Sequence, residues 1–179
     1  YKTDIYEGGH RIPLIVSWKG KFSNETNNSL VSLTDFYATF AQMVNHKLKD
    51  EEAVDSYSIW PILSKQGASN RKDLVYESGK GYLSLRTPQL KLVFNGGSGG
   101  WGYPNKPADL AQLPPMQLFN LKEDPSEKEN IIHDKCYEQE VKEMTQLIRK
   151  YVKEGRSTPG AEVANDTEND WKQVNIFMQ

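Results

Sequence analysis

The chain has 179 residues, 37% hydrophobic and 26% charged, with a formal net charge of −2. That is enough for one ordinary domain or slightly more, and the near-neutral balance excludes an electrostatic case for nucleic acid or an acidic membrane surface as partner. No apolar run approaches the ~20 residues a membrane helix needs, and the single cysteine, Cys136, excludes an internal disulfide or a Cys-based metal cluster.

The opening stretch, Lys2-Thr3-Asp4-Ile5-Tyr6-Glu7-Gly8-Gly9-His10-Arg11-Ile12-Pro13, sets paired glycines among charged side chains. Such a pattern lets a backbone adopt φ > 0 and approach a ligand closely. Glu7 and Arg11 are spaced to pair across the glycine turn, a structural role. His10 is either a loop-ordering imidazole or a substrate contact. Ile12 to Trp18 is apolar and partly β-branched, which predicts a buried strand of a mostly parallel sheet. Lys19 to Ser29 reads as a polar surface loop, and Asn24-Glu25-Thr26, Asn27-Asn28-Ser29 and Asn165-Asp166-Thr167 fit the glycosylation pattern.

Ser32 or Thr34 is placed to cap a helix in which Phe36, Phe40, Met43 and Val44 form one stripe toward a core, ending near Asn45 with His46 as a C-terminal cation. Three β-like runs follow, Asp73–Glu77, Gly81–Arg86 and Leu90–Phe94, the last two joined by Thr87-Pro88-Gln89 as an antiparallel hairpin with one wet face. Asn95 to Asn105 is glycine-rich but lacks the Lys-Ser or Lys-Thr and the apolar helix of a phosphate cradle. It is expected to be a long loop, with Trp101 or Tyr103 available as a sugar platform. Asp124-Pro125 starts a turn. Val141, Met144, Ile148 and Tyr151 mark a helix from Tyr137 to Lys153, stopped by Gly155. Arg156 then opens a polar tail whose expected anchors are Trp171, Ile176 and Phe177. Cys136 and His133 read as incidental surface groups.

Several of these residues carry a resemblance. Lys2 to Pro13 has the form Lys-x-x-x-Tyr-Glu-Gly-Gly-x-Arg-x-Pro and, with Val16-Ser17-Trp18-Lys19-Gly20-Lys21, resembles a signature region of the formylglycine-dependent sulfatases of the arylsulfatase type. Asp55 to Leu63 is similar to that family's Asp-Gly-x-Ser-x-x-Pro-x-Leu segment, with Ser56 where glycine is usual. Arg86 to Leu92 is similar to its Arg-x-x-x-x-Lys-Leu hairpin, and Gln117 to Ile131 to its Glu-Leu-Tyr-Asp-Leu-x-x-Asp-Pro-x-Glu-x-x-Asn segment. The Arg-Ser-Thr-Pro-Gly run at 156–160 also resembles bacterial members.

The resemblance implies an α/β fold: the end of an alkaline-phosphatase-like large α/β domain (1–66), a small C-terminal antiparallel sheet packed by one helix (67–155), and a tail (156–179). It implies a sulfate ester hydrolase acting on a sulfated small molecule or glycan, in a periplasmic, secreted or lysosomal setting. Lys2 falls on the family's sulfate-binding lysine, and His10 and Trp101 are the candidate substrate contacts. The formylglycine nucleophile and the calcium ligands have no counterpart in this sequence. The chain, which opens in mid-motif at Tyr1, is therefore expected to be a C-terminal piece, inactive alone. The rival readings are a related phosphatase or phosphonate hydrolase, and a degenerate sulfatase that binds sulfated glycans without turnover.

Overall fold

A computed structural model describes residues 1–164 and 171–178; the Asn165 glycosylation pattern lies outside them. In chain order the elements are α1 (Glu7–His10), α2 (Asp35–Met43), α3 (Trp60–Leu63), β1 (Leu74–Glu77), β2 (Leu83–Arg86), β3 (Leu90–Val93), α4 (Pro107–Leu110), β4 (Gln117–Asn120), α5 (Glu138–Glu154) and α6 (Asn175–Met178). The chain forms two compact units, one of Tyr1–Ile12, Val75–Lys150 and Glu168–Gln179, the other of Pro13–Leu74 and Tyr151–Thr167.

The first unit is organised by one sheet in the order β1-β2-β3-β4. The turn between β2 and β3 is closed by Thr87, whose amide donates to the Leu90 carbonyl at 2.8 Å and whose Oγ1 accepts from the Leu90 amide at 2.9 Å. That fixes the antiparallel register Leu85↔Leu92 and Arg86↔Lys91, continued into β4 as Leu92↔Leu118 and Lys91↔Phe119. Because successive strand residues face opposite ways, Leu85, Leu92 and Leu118 form a fully buried row on one face. The other face carries Val93 and Phe119, which join Ile5 and Leu121 in a core cluster. The expected wet face is absent here: every residue of β3 and β4 is buried, because the N-terminal segment covers the side that a two-layer arrangement would leave to water.

The long helix forms as its apolar spacing predicts, one residue later at each end than expected. Met144 and Ile148 are its buried residues, and Gly155 ends it at φ +64°, a left-handed conformation that only glycine adopts at little cost. Arg149 donates to the Phe177 carbonyl. The Phe177 ring, itself fully buried, lies 4.6 Å from Phe94 just past β3. Of the three expected anchors, Phe177 is one, whereas Trp171 and Ile176 are exposed.

In the second unit α2 forms where its pattern places it, but with the opposite face inward. Asp35, Ala38, Thr39 and Ala41 are buried while Phe40 is 57% and Val44 73% exposed. The cause is Asp35. Its carboxylate takes both Arg71 Nε (3.0 Å) and Nη2 (2.5 Å), and the amides of Ser32 and Tyr57 at 2.9 Å each. Thr39 Oγ1 accepts from the Ile59 amide and Ser56 Oγ from the Ala38 amide. The hydroxyl that replaces the family's usual glycine at position 56 is thus a tie between α2 and the 55–59 segment. Neither Ser32 nor Thr34 makes a side-chain cap to α2.

Ile12 to Trp18 forms no strand and is exposed throughout, which corrects the expectation of a buried one: among the described residues no neighbouring strand pairs with it. Trp18 instead gathers with Phe22 and Trp60, ring centroids 5.7 to 6.3 Å apart. The segment after α5 is not a loose tail either. Arg156, nearly fully buried, donates to the carbonyls of Asp50, Thr158, Pro159 and Ala161.

Removing one side of a buried ion pair strands the other charge, at about 3–5 kcal/mol. Arg71→Met should therefore cost the second unit about that much in a urea titration, and adding Asp35→Asn should return part of it. A loss within about 0.5 kcal/mol of wild type would show that the pair does not hold α2.

Candidate functional site

Lys2 is exposed, on a segment whose next three residues are fixed. The Thr3 carbonyl accepts from the Gly79 amide and the Ser98 carbonyl from the Ile5 amide, both at 2.8 Å. Asp4 is buried, with its Oδ1 accepting from the Gly102 amide at 2.8 Å. Thr3 sits at φ +78°, a conformation that costs a β-branched residue about 1–3 kcal/mol and persists only where the surroundings impose it. Among the described residues no carboxylate lies within ion-pair distance of the Lys2 ammonium.

The glycine-rich stretch is the other half of this arrangement. It is not a loose loop: Ser98 Oγ donates to the Gly102 carbonyl at 2.6 Å, and the Lys80 amide donates to the Gly99 carbonyl at 3.1 Å. A Cβ on Gly100 would meet the Thr3 carbonyl and Asp4 Oδ1, and one on Gly102 would meet the Asp4 carboxylate. Glycine is required at both by close approach to the Lys2 segment. Between them Trp101 is 71% exposed, and Tyr103 is 79% exposed. The structure thus brings the backbones carrying Lys2 and Trp101 together, with both side chains open to solvent.

The paired glycines at 8 and 9 lie in α1, a single helical turn. A Cβ on Gly9 would strike the Asp4 carbonyl. The turn sends Arg11 outward, so Glu7 and Arg11 share only a backbone hydrogen bond of 2.7 Å. The Glu7 carboxylate points inward to Arg86 Nε at 3.2 Å and Lys91 Nζ at 3.3 Å. Lys91 Nζ also lies 2.9 Å from Glu127 Oε1, and Glu127 Oε2 accepts from the Glu7 amide at 2.6 Å. Burial raises the Glu127 carboxyl's pKa and the Lys91 charge draws it back. His10 stacks on Tyr76 at 4.5 Å and 11°, with Nε2 buried and without a hydrogen-bond partner. Burial, then the Lys91 charge, lowers its pKa, while Tyr76 is pushed up to about 12 by burial and by Glu7.

Sequence reasoning missed Asp4, Lys91 and Glu127 as parts of the site. Lys91 and Glu127 both stood inside quoted motifs, but nothing local told that they would be buried together. Beside the cluster a groove of about 660 Å³ is lined by Tyr6, Tyr103, Phe119, Gln117, Lys128 and Asn130 among others.

Among the described residues no three carboxylate, imidazole or thiol groups converge to hold a metal ion, so the calcium implied by the resemblance does not fit the residues present. The Cys136 thiol is exposed and raised in pKa by Asp134, the opposite of what a nucleophile needs. No helix among the described residues is long and apolar enough to cross a membrane.

The chain is similar to sulfatases over most of its length. It is 29% identical to the N-acetylgalactosamine-6-O-sulfatase of Bacteroides thetaiotaomicron, over 82% of this chain and 28% of that protein. It is 28% identical to human arylsulfatase A, over 73% of this chain and 28% of that protein. A solved structure from the metabolism of multiple glycosaminoglycans by Bacteroides thetaiotaomicron superimposes with a TM-score of 0.68 at 27% identity, covering 83% of this chain and 30% of that one. The four-stranded sheet and its helices agree with the C-terminal part of such an alkaline-phosphatase-like fold. The chain thus spans less than a third of the length of these relatives. No protein-family model matches it.

The lowered pKa of His10 has a stability consequence. The unfolded chain takes up the imidazole proton as the pH falls through the ordinary value of 6.5, while the folded chain does so only at lower pH. The contribution of neutral His10 is complete above that value and declines below it. His10→Phe, which keeps an aromatic ring over Tyr76, should lose less stability than wild type between about pH 7.5 and 5.5 in paired denaturant titrations. Parallel curves would place His10 in water.

Proposed function

We propose that this chain is part of an enzyme that hydrolyses sulfate esters of carbohydrates, in which Lys2 meets the sulfate group. The observation that carries the reading is an exposed ammonium, without a carboxylate partner among the described residues, on a segment held at Thr3, Asp4 and Ile5. It stands in the Lys-x-x-x-Tyr-Glu-Gly-Gly motif of a chain homologous to sulfatases.

Hydrolysis adds water across the ester and releases an alcohol and sulfate. Charge builds on the sulfuryl oxygens and the leaving oxygen, where a compact ammonium is most effective. In this reading Trp101 offers its indole face to the sugar and His10 orders the segment from its seat on Tyr76. The name of the Bacteroides relative points to a sulfated amino sugar as the substrate class.

The nucleophile and the calcium ion come from polypeptide outside this chain, so the chain by itself does not turn over. Residues 1–66 then complete the large catalytic domain, 67–155 form the small sheet subdomain and 156–179 its tail. The exposed Tyr37, Phe40 and Val44 of α2 dock on the rest of that large domain. The compartment is periplasmic, secreted or lysosomal, as for other enzymes of this type.

In the full-length protein, Lys2→Ala should reduce sulfate ester hydrolysis about a hundredfold or more, the size of one lost electrostatic stabiliser. An unchanged kcat/KM would remove Lys2 from the site. Trp101→Ala should instead raise KM for a sulfated oligosaccharide about tenfold, the equivalent of ~1.4 kcal/mol of binding, with kcat nearly constant. A fall in kcat at constant KM would assign Trp101 to the chemical step.

A further inference from the structure

We propose that Lys91, acting through Glu7 and Glu127, is a positioning residue for Lys2: a buried ammonium held by two carboxylates fixes where the sulfate-binding amine is presented. The inference rests on the role proposed for Lys2 and extends it to residues that touch no substrate.

The geometry is a closed set of ties. Lys91 is fully buried on β3. Its Nζ reaches Glu127 Oε1 at 2.9 Å and Glu7 Oε1 at 3.3 Å, and lies 5.0 Å from the centre of the Tyr76 ring. Glu127 turns its second oxygen to the Glu7 amide at 2.6 Å, so it holds the backbone of α1 as well as the cation. Arg86, next to Lys91 across the hairpin, meets Glu7 Oε1 at 3.2 Å. Two cations and two carboxylates balance. Glu127 occupies φ +53°, a strained conformation for this residue type that surrounding contacts must impose.

A buried charge cluster is a poor choice for stability alone, since apolar residues of the same volume serve as well or better. What it fixes is direction, because Lys91 Nζ lies between Glu7 and Glu127 and the second Glu127 oxygen accepts from the Glu7 amide. Only four residues separate Lys2 from Glu7, and two of them, Asp4 and Ile5, are buried. The stretch between therefore has no slack to absorb a shift of α1, and a displacement there is passed to Lys2. A misplacement of about 1 Å at a reacting group can cost on the order of a hundredfold in rate.

The test uses the full-length protein. Lys91→Met alone leaves Glu127 without its cation and Glu7 with Arg86 only, so the variant of choice is the triple Glu7→Gln/Lys91→Met/Glu127→Gln, in which Arg86 is the one charge of the cluster that remains. It should unfold cooperatively and lose at least about tenfold in kcat/KM on a sulfate ester, carried by kcat. Combined with Lys2→Ala it should be no slower than Lys2→Ala alone, because a positioning group has nothing left to position. Hydrogen exchange at the Gly9 and Arg11 amides should also quicken. If the triple variant fails to fold, Glu127→Gln, which keeps the Lys91–Glu7 pair, is read by the same measurements. Wild-type kcat/KM in the folded variant, or losses that multiply with Lys2→Ala, overturn the inference. If the wild-type enzyme hydrolyses no sulfate ester, the functional reading fails instead, and the clamp is judged by exchange alone: faster exchange supports it, unchanged exchange overturns it.

Discussion

The ammonium of Lys91, held away from water between Glu7 and Glu127, is the contact on which the arrangement of the first unit depends. Taking a lysine out of solvent costs several kcal/mol even after relaxation and is repaid only by partners in good geometry. Those partners come from places remote in sequence, Glu7 lying 84 residues from Lys91. Once they meet, the hairpin, the first helical turn and the turn after β4 hold a single relation to one another. Val93 and Phe119, on the same face of the sheet as Lys91, then find Ile5 above them. Burying an isoleucine contributes about 1.5–3 kcal/mol, so the apolar part of the face stabilises the layer while the ionic part sets its register.

The two glycine-rich stretches are explained by each other rather than by a ligand. Gly9, Gly100 and Gly102 all lack a Cβ because Thr3 or Asp4 occupies the space it would take. Asp4 is the pivot: a buried carboxylate must be hydrogen-bonded, and it is satisfied by the Gly102 amide. The consequence is that Trp101, between two closely packed glycines, has no choice but to face outward. An exposed tryptophan on a rigid backbone loses little entropy when it stacks on a sugar, which is what separates it from an exposed aromatic on a mobile loop.

Much of the fold was legible from spacing. The three strands, the tight turn at Thr87 and the long helix followed from period-2 and period-3.6 patterns, and these survive in the structure because the local preference and the packing agree. The faces did not follow. In α2 the apolar periodicity marked Phe36, Phe40 and Val44 as core, yet the buried side is the one bearing Asp35. A carboxylate that collects a bidentate arginine and two amides outweighs the stripe, and no window of sequence contains Arg71 or Tyr57 together with Asp35. The same holds for Arg156, read as the start of a polar tail and found organising four carbonyls. In the candidate site, Lys2 and Trp101 were visible through motif and composition. Lys91 and Glu127 were present in motifs but read as hairpin and turn, since a burial that depends on three distant segments leaves no local mark.

Exposed apolar groups carry two different meanings in this chain. Trp101 and Tyr103 stand on a segment tied by Ser98 Oγ to the Gly102 carbonyl and by the Gly102 amide to Asp4, so their exposure is imposed by a held backbone. Tyr37, Phe40 and Val44 stand exposed on a helix whose buried side carries Asp35, Ala38, Thr39 and Ala41. Clustered exposure of that second kind marks a surface built to be covered. The first kind fits a contact that comes and goes, such as a substrate; the second fits a permanent layer, and the relatives, more than three times as long as the matched stretch, have the polypeptide to provide it. Within the first unit, then, an exposed amine and a flat aromatic stand on a charge-locked frame, while within the second the buried side of α2 is its polar one and the aromatic side is left open.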